Sequence, residues 1–247
     1  MCSSDLLDSL QIPRESYDDL DIEGSEDFYL ASMGIYVFNR STMVKLLDND
    51  FTDFGKHIIP GAISSHRVFS YVYQGYWEDI GTIKSFFEAN LDGAEELPKF
   101  NFFDMSSPIY TRPRFLPGSK INGASIDHAI VSDGCIISHA HVSHSVIGVR
   151  SFVGIGTNLH RVIMMGADYY ESQASMHENL NAGRPRMGIG QHCRIENTIL
   201  DKNVRVGDNC VISPAGKPEN FDGNGYVIRD GIVIVPKNGV IPHGTVI

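Results

Sequence analysis

The sequence predicts an α/β layer followed by a parallel β-helix, and three observations carry the prediction. Across residues 121–212 a branched apolar residue recurs every five or six positions, as in Val142, Ile147, Val153 and Leu159, and again in Ile189, Ile195, Leu200, Val206 and Ile212. Small or polar residues, among them Ser151, Thr157, Cys193 and Cys210, follow most of these anchors four positions later. Ahead of this array, strand-like and helix-like segments alternate. An α-helix would scatter the anchors around its cylinder, whereas short strands joined by a turn every half-dozen residues point each anchor inward, onto one stacked apolar column. The competing architecture, a β-sandwich, calls for hairpin spacing of about 8–12 residues, which is longer than the interval seen.

Residues 1–27 are acidic and almost aperiodic, and read as loop. The apolar run at 28–38, interrupted by Ser32 and Gly34, suits a buried strand that something approaches closely. A helix should follow, capped by Ser41 and burying Met43, Val44, Leu46 and Leu47. Residues 54–59 suggest a short helix stopped by Pro60 and Gly61, and 68–73, rich in β-branched and aromatic residues, a second strand. Thr82 then caps a helix carrying Phe86, Phe87 and Leu91. Pro98, Pro108, Pro113 and Pro117 make 93–120 a linker. Within the array, 164–188 and 213–230 read as excursions, 232–235 as a continuous apolar strand, and Val240 and Val246 as a return to the six-residue step. The expected organisation is an α/β portion at 1–92, a linker at 93–120 and the β-helix at 121–247.

Composition narrows the function classes. At 247 residues and 42% hydrophobic content the chain can bury a substantial core. No apolar run approaches the ~20 residues of a membrane span, and no targeting signal is visible, so cytoplasm is the expected location. A formal charge of −10 argues against a nucleic-acid or anionic-membrane surface. Cysteines 2, 135, 193 and 210 are too scattered for a zinc clip or a redox pair, and read as reduced fillers of small inward positions.

Six motifs in order, SMGIYVF (32–38), DFGKHIIPGA (53–62), GYWEDIGT (75–82), PIYTRPRFLPGSK (108–120), MGADYYE (165–171) and ILDKNVRVGDN (199–209), closely resemble the ADP-glucose pyrophosphorylase (glucose-1-phosphate adenylyltransferase) family, nearer its cyanobacterial and plant type. The resemblance runs from about residue 31 to 247. It implies the end of a Rossmann-like nucleotidyltransferase domain at 1–92, followed by a left-handed parallel β-helix of hexapeptide repeats. The family's Gly-rich nucleotide loop and sugar-phosphate segment have no counterpart here, so the expectation is a C-terminal portion that is inactive alone. The implied reaction joins ATP and glucose 1-phosphate into ADP-glucose and pyrophosphate in glycogen or starch synthesis. It would occur in the cytoplasm, or in a plastid if the source is a plant, and in a homotetramer.

Residue roles implied by the resemblance carry over one by one. Asp79 matches the family's metal-binding aspartate, a hard oxygen ligand suited to Mg²⁺; read from the residues alone, it could equally cap the helix that follows. Ser32 matches a serine that contacts the glucose moiety, the alternative being a hydroxyl satisfied within its own strand. Arg112 and Arg114 match a Gln-x-Arg pair of the effector site, Arg112 replacing the commoner glutamine, and Lys202 and Lys237 match its two lysines. Such cations suit anionic effectors such as 3-phosphoglycerate or phosphate. Histidines 139, 141 and 144 are spaced as though near one corner and read as solvated turn residues. Two rival classes stand beside the nucleotidyltransferase: a hexapeptide-repeat acyltransferase, and a non-catalytic regulatory or assembly module.

Overall fold

The computed structural model describes residues 32–247; the reading of 1–27 as loop and the start of the first apolar run lie outside them. The chain forms two compact units, one ending at Trp77 and one spanning Glu78–Ile247.

In the first unit, helix α1 (Arg40–Leu46) begins at Asn39 and buries none of its residues. Ser41, expected as the cap, lies inside the helix, and of the four expected core residues only Leu46 is even half-buried. A single π-helical turn, Phe54–Ile58, runs directly into α2 (Ile59–Ser65). The turn is capped by Asp53, whose Oδ1 accepts the Lys56 amide at 2.8 Å. Pro60 therefore lies in the first turn of α2 instead of ending a helix, at the junction where the π-helical turn gives way to the α-helix. The strands expected at 28–38 and 68–73 do not form among the described residues. Both stretches are irregular, with Val37 97%, Phe69 84% and Tyr71 88% exposed. A strand persists only when its N–H and C=O groups are paired in a ladder, and no described residue of this unit supplies one.

The second unit opens with α3 (Ile83–Asp92), held at its start by a reciprocal capping box between Thr82 and Ser85. Irregular chain through Ser119 leads to the coil. Its strands are β1 (Lys120–Asn122), β2 (Ser125–Val131), β3 (Ile136–Ser138), β4 (His141–Ile147), β5 (Phe152–Val153) and β6 (Asn158–Met164). Helix α4 (Gln173–Asn181) interrupts them. They resume as β7 (Gly188–Ile189), β8 (Arg194–Leu200), β9 (Arg205–Val206), β10 (Val211–Ile212), β11 (Phe221–Asp222), β12 (Val227–Arg229), β13 (Ile232–Val235) and β14 (Val240–Ile241).

One ladder runs β1-β3-β5-β7-β9-β14 and a second β11-β12-β13-β8-β6-β4-β2, parallel throughout except at β11 and β12. Lys120 pairs with Ile136 and Ile136 with Phe152, a step of 16 residues per coil. The seven-residue strands turn a corner at their midpoints, where His128, His144, Arg161 and Asn197 stack in register with φ of 44°, 45°, 54° and 45°. Left-handed backbone costs most residues roughly 1–2 kcal/mol, and Asn and His tolerate it better than most. That preference explains the histidines and asparagines at the bends.

The periodic anchors behave as expected. Val142, Ile147, Val153, Leu159, Ile189, Ile195, Leu200, Val206 and Ile212 are each at most 1% exposed and form one column, with Cys135, Cys193 and Cys210 as small buried thiols among them. Burial pushes the Cys135 thiol up, which keeps it protonated and inert. At the end of the chain the step slips by one residue. Val240 and Val246 are 38% and 75% exposed, whereas Ile241 and Ile247 point inward, since alternation along a strand puts only every second residue on the core face.

Two excursions leave the coil at corners, one containing α4, the other spanning 213–231 and returning through the antiparallel pair β12–β13. That hairpin turns on Asp230-Gly231, both at positive φ (53° and 69°), the geometry a two-residue hairpin demands. Helix α3 packs on the outside of the coil, burying Phe87 and Leu91 against Ile163, Ile199 and Ile232. By sequence it closes the first layer, while by packing it belongs to the second unit.

Candidate functional site

Asp79 stands in irregular chain just ahead of α3 and is exposed. Its Oδ1 accepts the Gly81 amide at 3.0 Å, a local turn that orients the carboxylate. The cap of α3 is Thr82, so the helix-capping role open to Asp79 in the sequence is filled by another residue. Among the described residues nothing engages Oδ2 through a hydrogen bond or ion pair. One oriented, solvent-facing carboxylate can supply one of the one or two carboxylates through which Mg²⁺, which retains several waters, is held beside substrate phosphates. Among the described residues no group of three or more His, Cys, Asp or Glu is arranged to hold a metal.

Ser32 belongs to the first unit. Its hydroxyl accepts the Gly34 amide at 3.2 Å and lies 3.0 Å from the Tyr36 hydroxyl, and Gly34 has φ 69°. The hydroxyl is exposed, in a tight turn and not in the expected strand. It keeps spare hydrogen-bonding capacity for a polar ligand.

Lys202 and Lys237, 35 positions apart in the chain, come together on one carboxylate. Lys202 Nζ lies 3.2 Å from Asp168 Oδ1 and Lys237 Nζ 2.9 Å from Oδ2. Asp168 is fixed from beneath by Asn203, which is 6% exposed. The Asn203 amide group donates to Asp168 Oδ2 at 3.1 Å and to Asn238 Oδ1 at 3.1 Å, while its carbonyl accepts the Asp168 amide at 2.8 Å. The coil produces this convergence. Asn203 and Asn238 occupy the same left-handed corner on successive turns (φ 62° and 61°), and each is preceded by a lysine. The two ammonium groups, with Asn203, hold the Asp168 carboxyl well below the usual carboxylate range, Lys237 contributing most. Arg112 and Arg114 do not join this cluster through any hydrogen bond or ion pair among the described residues; both are exposed in irregular chain ahead of β1.

Sequence reasoning passed over Asp168, Asn203 and Asn238. The signal was present as the repeated Lys-Asn dipeptide at 202–203 and 237–238, which marks equivalent corners. A second charged group also escaped notice. Glu171 (side chain 4% exposed) meets Arg205 (12%) at 2.6 Å. It also accepts Asn179 Nδ2 at 2.9 Å and the Met187 amide at 2.8 Å, which ties the α4 excursion to the coil. Histidines 139 and 144 occupy two different corners, not one, with His141 on the strand between them. His144 stacks flat on His128, ring centres 4.9 Å apart, with His160 edge-on at 5.6 Å. Face-to-face rings do not aim their nitrogens at a shared metal. No described helix is long and apolar enough to cross a membrane.

Comparison with known proteins gives two family matches. The model described as GLGC left-handed parallel beta-helix domain matches residues 114–246, and that described as Nucleotidyl transferase matches residues 23–96. The chain is 43% identical over 234 residues to the glucose-1-phosphate adenylyltransferase small subunit, chloroplastic/amyloplastic, of Triticum aestivum; this covers 92% of the chain and 50% of that protein. It is 44% identical over 224 residues to the large subunit 1 of Zea mays, covering 89% of the chain and 43% of that protein. The chain thus spans about half the length of the curated relatives it matches.

Proposed function

The chain belongs to the GLGC left-handed parallel β-helix family, with a preceding stretch that matches nucleotidyl transferases, and on that footing we propose that it is the C-terminal portion of a glucose-1-phosphate adenylyltransferase. In the reaction, a phosphate oxygen of glucose 1-phosphate attacks the α-phosphorus of ATP in line. A new P–O bond forms, the bond between the α-phosphorus and its bridging oxygen breaks, and pyrophosphate leaves. Mg²⁺, when bound, would neutralise charge building on the phosphates. Asp79 offers it one oxygen, Ser32 offers the glucose a hydroxyl, and the nucleotide-binding half would be supplied by chain not present here. The portion alone would therefore be inactive. The working enzyme would be a homotetramer in the cytoplasm, or in a plastid if the source is a plant, regulated by an anion such as 3-phosphoglycerate or phosphate through Lys202 and Lys237, with Arg112 and Arg114 contributing from the linker.

The observation that carries this reading is the state of Asp79. It is exposed, oriented by the Gly81 amide, and relieved of capping duty by Thr82. In the enzyme completed by its N-terminal half, Asp79→Asn should lower kcat by about a hundredfold or more, because the loss falls on transition-state charge, and should leave the thermal melt unchanged. Turnover within a few-fold of the parent at equal magnesium dependence would remove Asp79 from the chemistry, whereas a completed chain that bound effector anions but showed no turnover at all would favour the non-catalytic regulatory module. Saturable binding of an acyl-CoA to the coil would favour the acyltransferase instead.

A further inference from the structure

Asp168 is the only carboxylate paired with Lys202 or Lys237 among the described residues, and it takes one ammonium on each oxygen. All three side chains are 38–50% exposed, so the cluster faces water and a dissolved ligand can reach it. A second carboxylate lies close by: Asp201 accepts the Lys202 amide at 2.6 Å and adds its field to Lys237. Two ammonium groups and two carboxylates leave the corner near neutrality. In that state it has little attraction for an anion, although each ammonium has donors to spare.

We propose that Asp168 is a tethered counter-ion which occupies the lysine pair in the absence of ligand, so that an oxyanion binds there by exchange with it. The inference rests on the reading of Lys202 and Lys237 as an effector site and adds how that site is kept closed. Exchange selects by charge. A monoanion offers the lysines no more than Asp168 already does, and Asp168 has the advantage of being tethered next to them. A dianion such as a phosphate group brings a second charge and a third oxygen, and prevails. Asn203 serves as a positioning residue: by gripping both the amide and the carboxylate of Asp168, it keeps the competitor aimed at the lysines.

The test is calorimetric titration of inorganic phosphate into the chain as it stands, at low salt. Asp168→Asn keeps the shape and the Asn203 contacts but removes the competing charge. It should bind phosphate roughly three- to tenfold more tightly than the parent, the span expected from releasing two exposed ion pairs. Asp168→Ser should give the same gain, and replacing both lysines by glutamine should abolish it. Acetate, a monoanion, should gain less than phosphate. Asp201→Asn removes an equal charge without touching an ammonium group, and should gain distinctly less. An equal gain from Asp201→Asn would reduce the effect to general charge and overturn the proposal. If the parent binds phosphate in a lysine-dependent way but Asp168→Asn binds no better or worse, Asp168 organises the lysines instead of competing for them; the inference then fails and the effector-site reading survives. Phosphate binding that is absent, or indifferent to the lysines, would end both.

Discussion

Single residues in this chain hold distant segments together by charge, and the clearest case is the Arg205–Glu171 pair beneath the α4 excursion. Burial alone would raise the Glu171 carboxyl, but the Arg205 guanidinium, the Met187 amide and Asn179 together outweigh it and hold the group below its ordinary 4.5. A carboxyl lowered on folding stabilises the protein above its unfolded value, and that contribution is lost as pH falls through the folded one. Glu171→Gln would leave Arg205 buried without a countercharge and should cost about 3 kcal/mol at neutral pH. Chemical denaturation across pH 3–7 checks both effects: the parent should lose stability below about pH 4.5, and the variant should show a shallower acid slope. An identical acid slope in both would show that Glu171 is not the titrating group. Residues of this kind were hardly legible in the sequence. Glu171 lies within a motif and Arg205 in a repeat, but a charged residue carries no periodic mark that says it is buried. Lys202 and Lys237 were singled out only through family resemblance, and Asp168 was missed because nothing in a one-dimensional pattern pairs position 168 with 202 and 237.

The elements divide according to whether their signal was local. Helix α3 was legible because cap, apolar face and length all lie within a dozen residues. The hairpin at Asp230-Gly231 had an equally local signal, the preferred dipeptide for a two-residue turn, but it was absorbed into a stretch read as an excursion. The two strands of the first layer failed for the opposite reason. Apolar β-branched composition reports a preference for burial on a sheet, whereas a strand also requires a neighbour, which composition cannot supply. The outer surface of the coil could not be read either, since its apolar residues Ile163, Ile199 and Ile232 make sense only once α3 is seen to cover them. Phe87 is 1% exposed in that contact. Phe87→Ala should therefore cost about 3–5 kcal/mol if helix and coil unfold together. If α3 detaches by itself, hydrogen exchange should show residues 83–92 losing protection while the coil amides keep theirs, and this outcome would mark the docking as a separate, weaker step.

At the scale of the whole molecule, the β-helix was the most legible feature, because every coil states the same rule and the anchors obey it to within one per cent exposure. The single slip, at Val240 and Val246, occurs at and after the last described strand, β14. A stack of this kind is stabilised by its intrinsic coils and the interfaces between neighbours. Leu159, fully buried in a middle coil, touches both, and Leu159→Ala should lower stability by roughly 3–5 kcal/mol, read as a fall in the denaturant midpoint. A broadened transition at the same site would indicate that the two halves of the stack had begun to melt separately. The corner asparagines carry a further consequence. Residues 203 and 238 are neighbours because they stand on adjacent rungs, about 4.8 Å apart as strands in any sheet must be, however much chain is paid out between them. Height along the axis is thus counted in rungs and not in residues. Loops leaving at the corners are free to lengthen, shrink or change sequence over evolutionary time without moving the lysines relative to one another. Two homologues whose numbering has drifted apart by dozens of positions could therefore present the same pair of charges at the same separation, and an alignment that scores gaps by their length would conceal the equivalence.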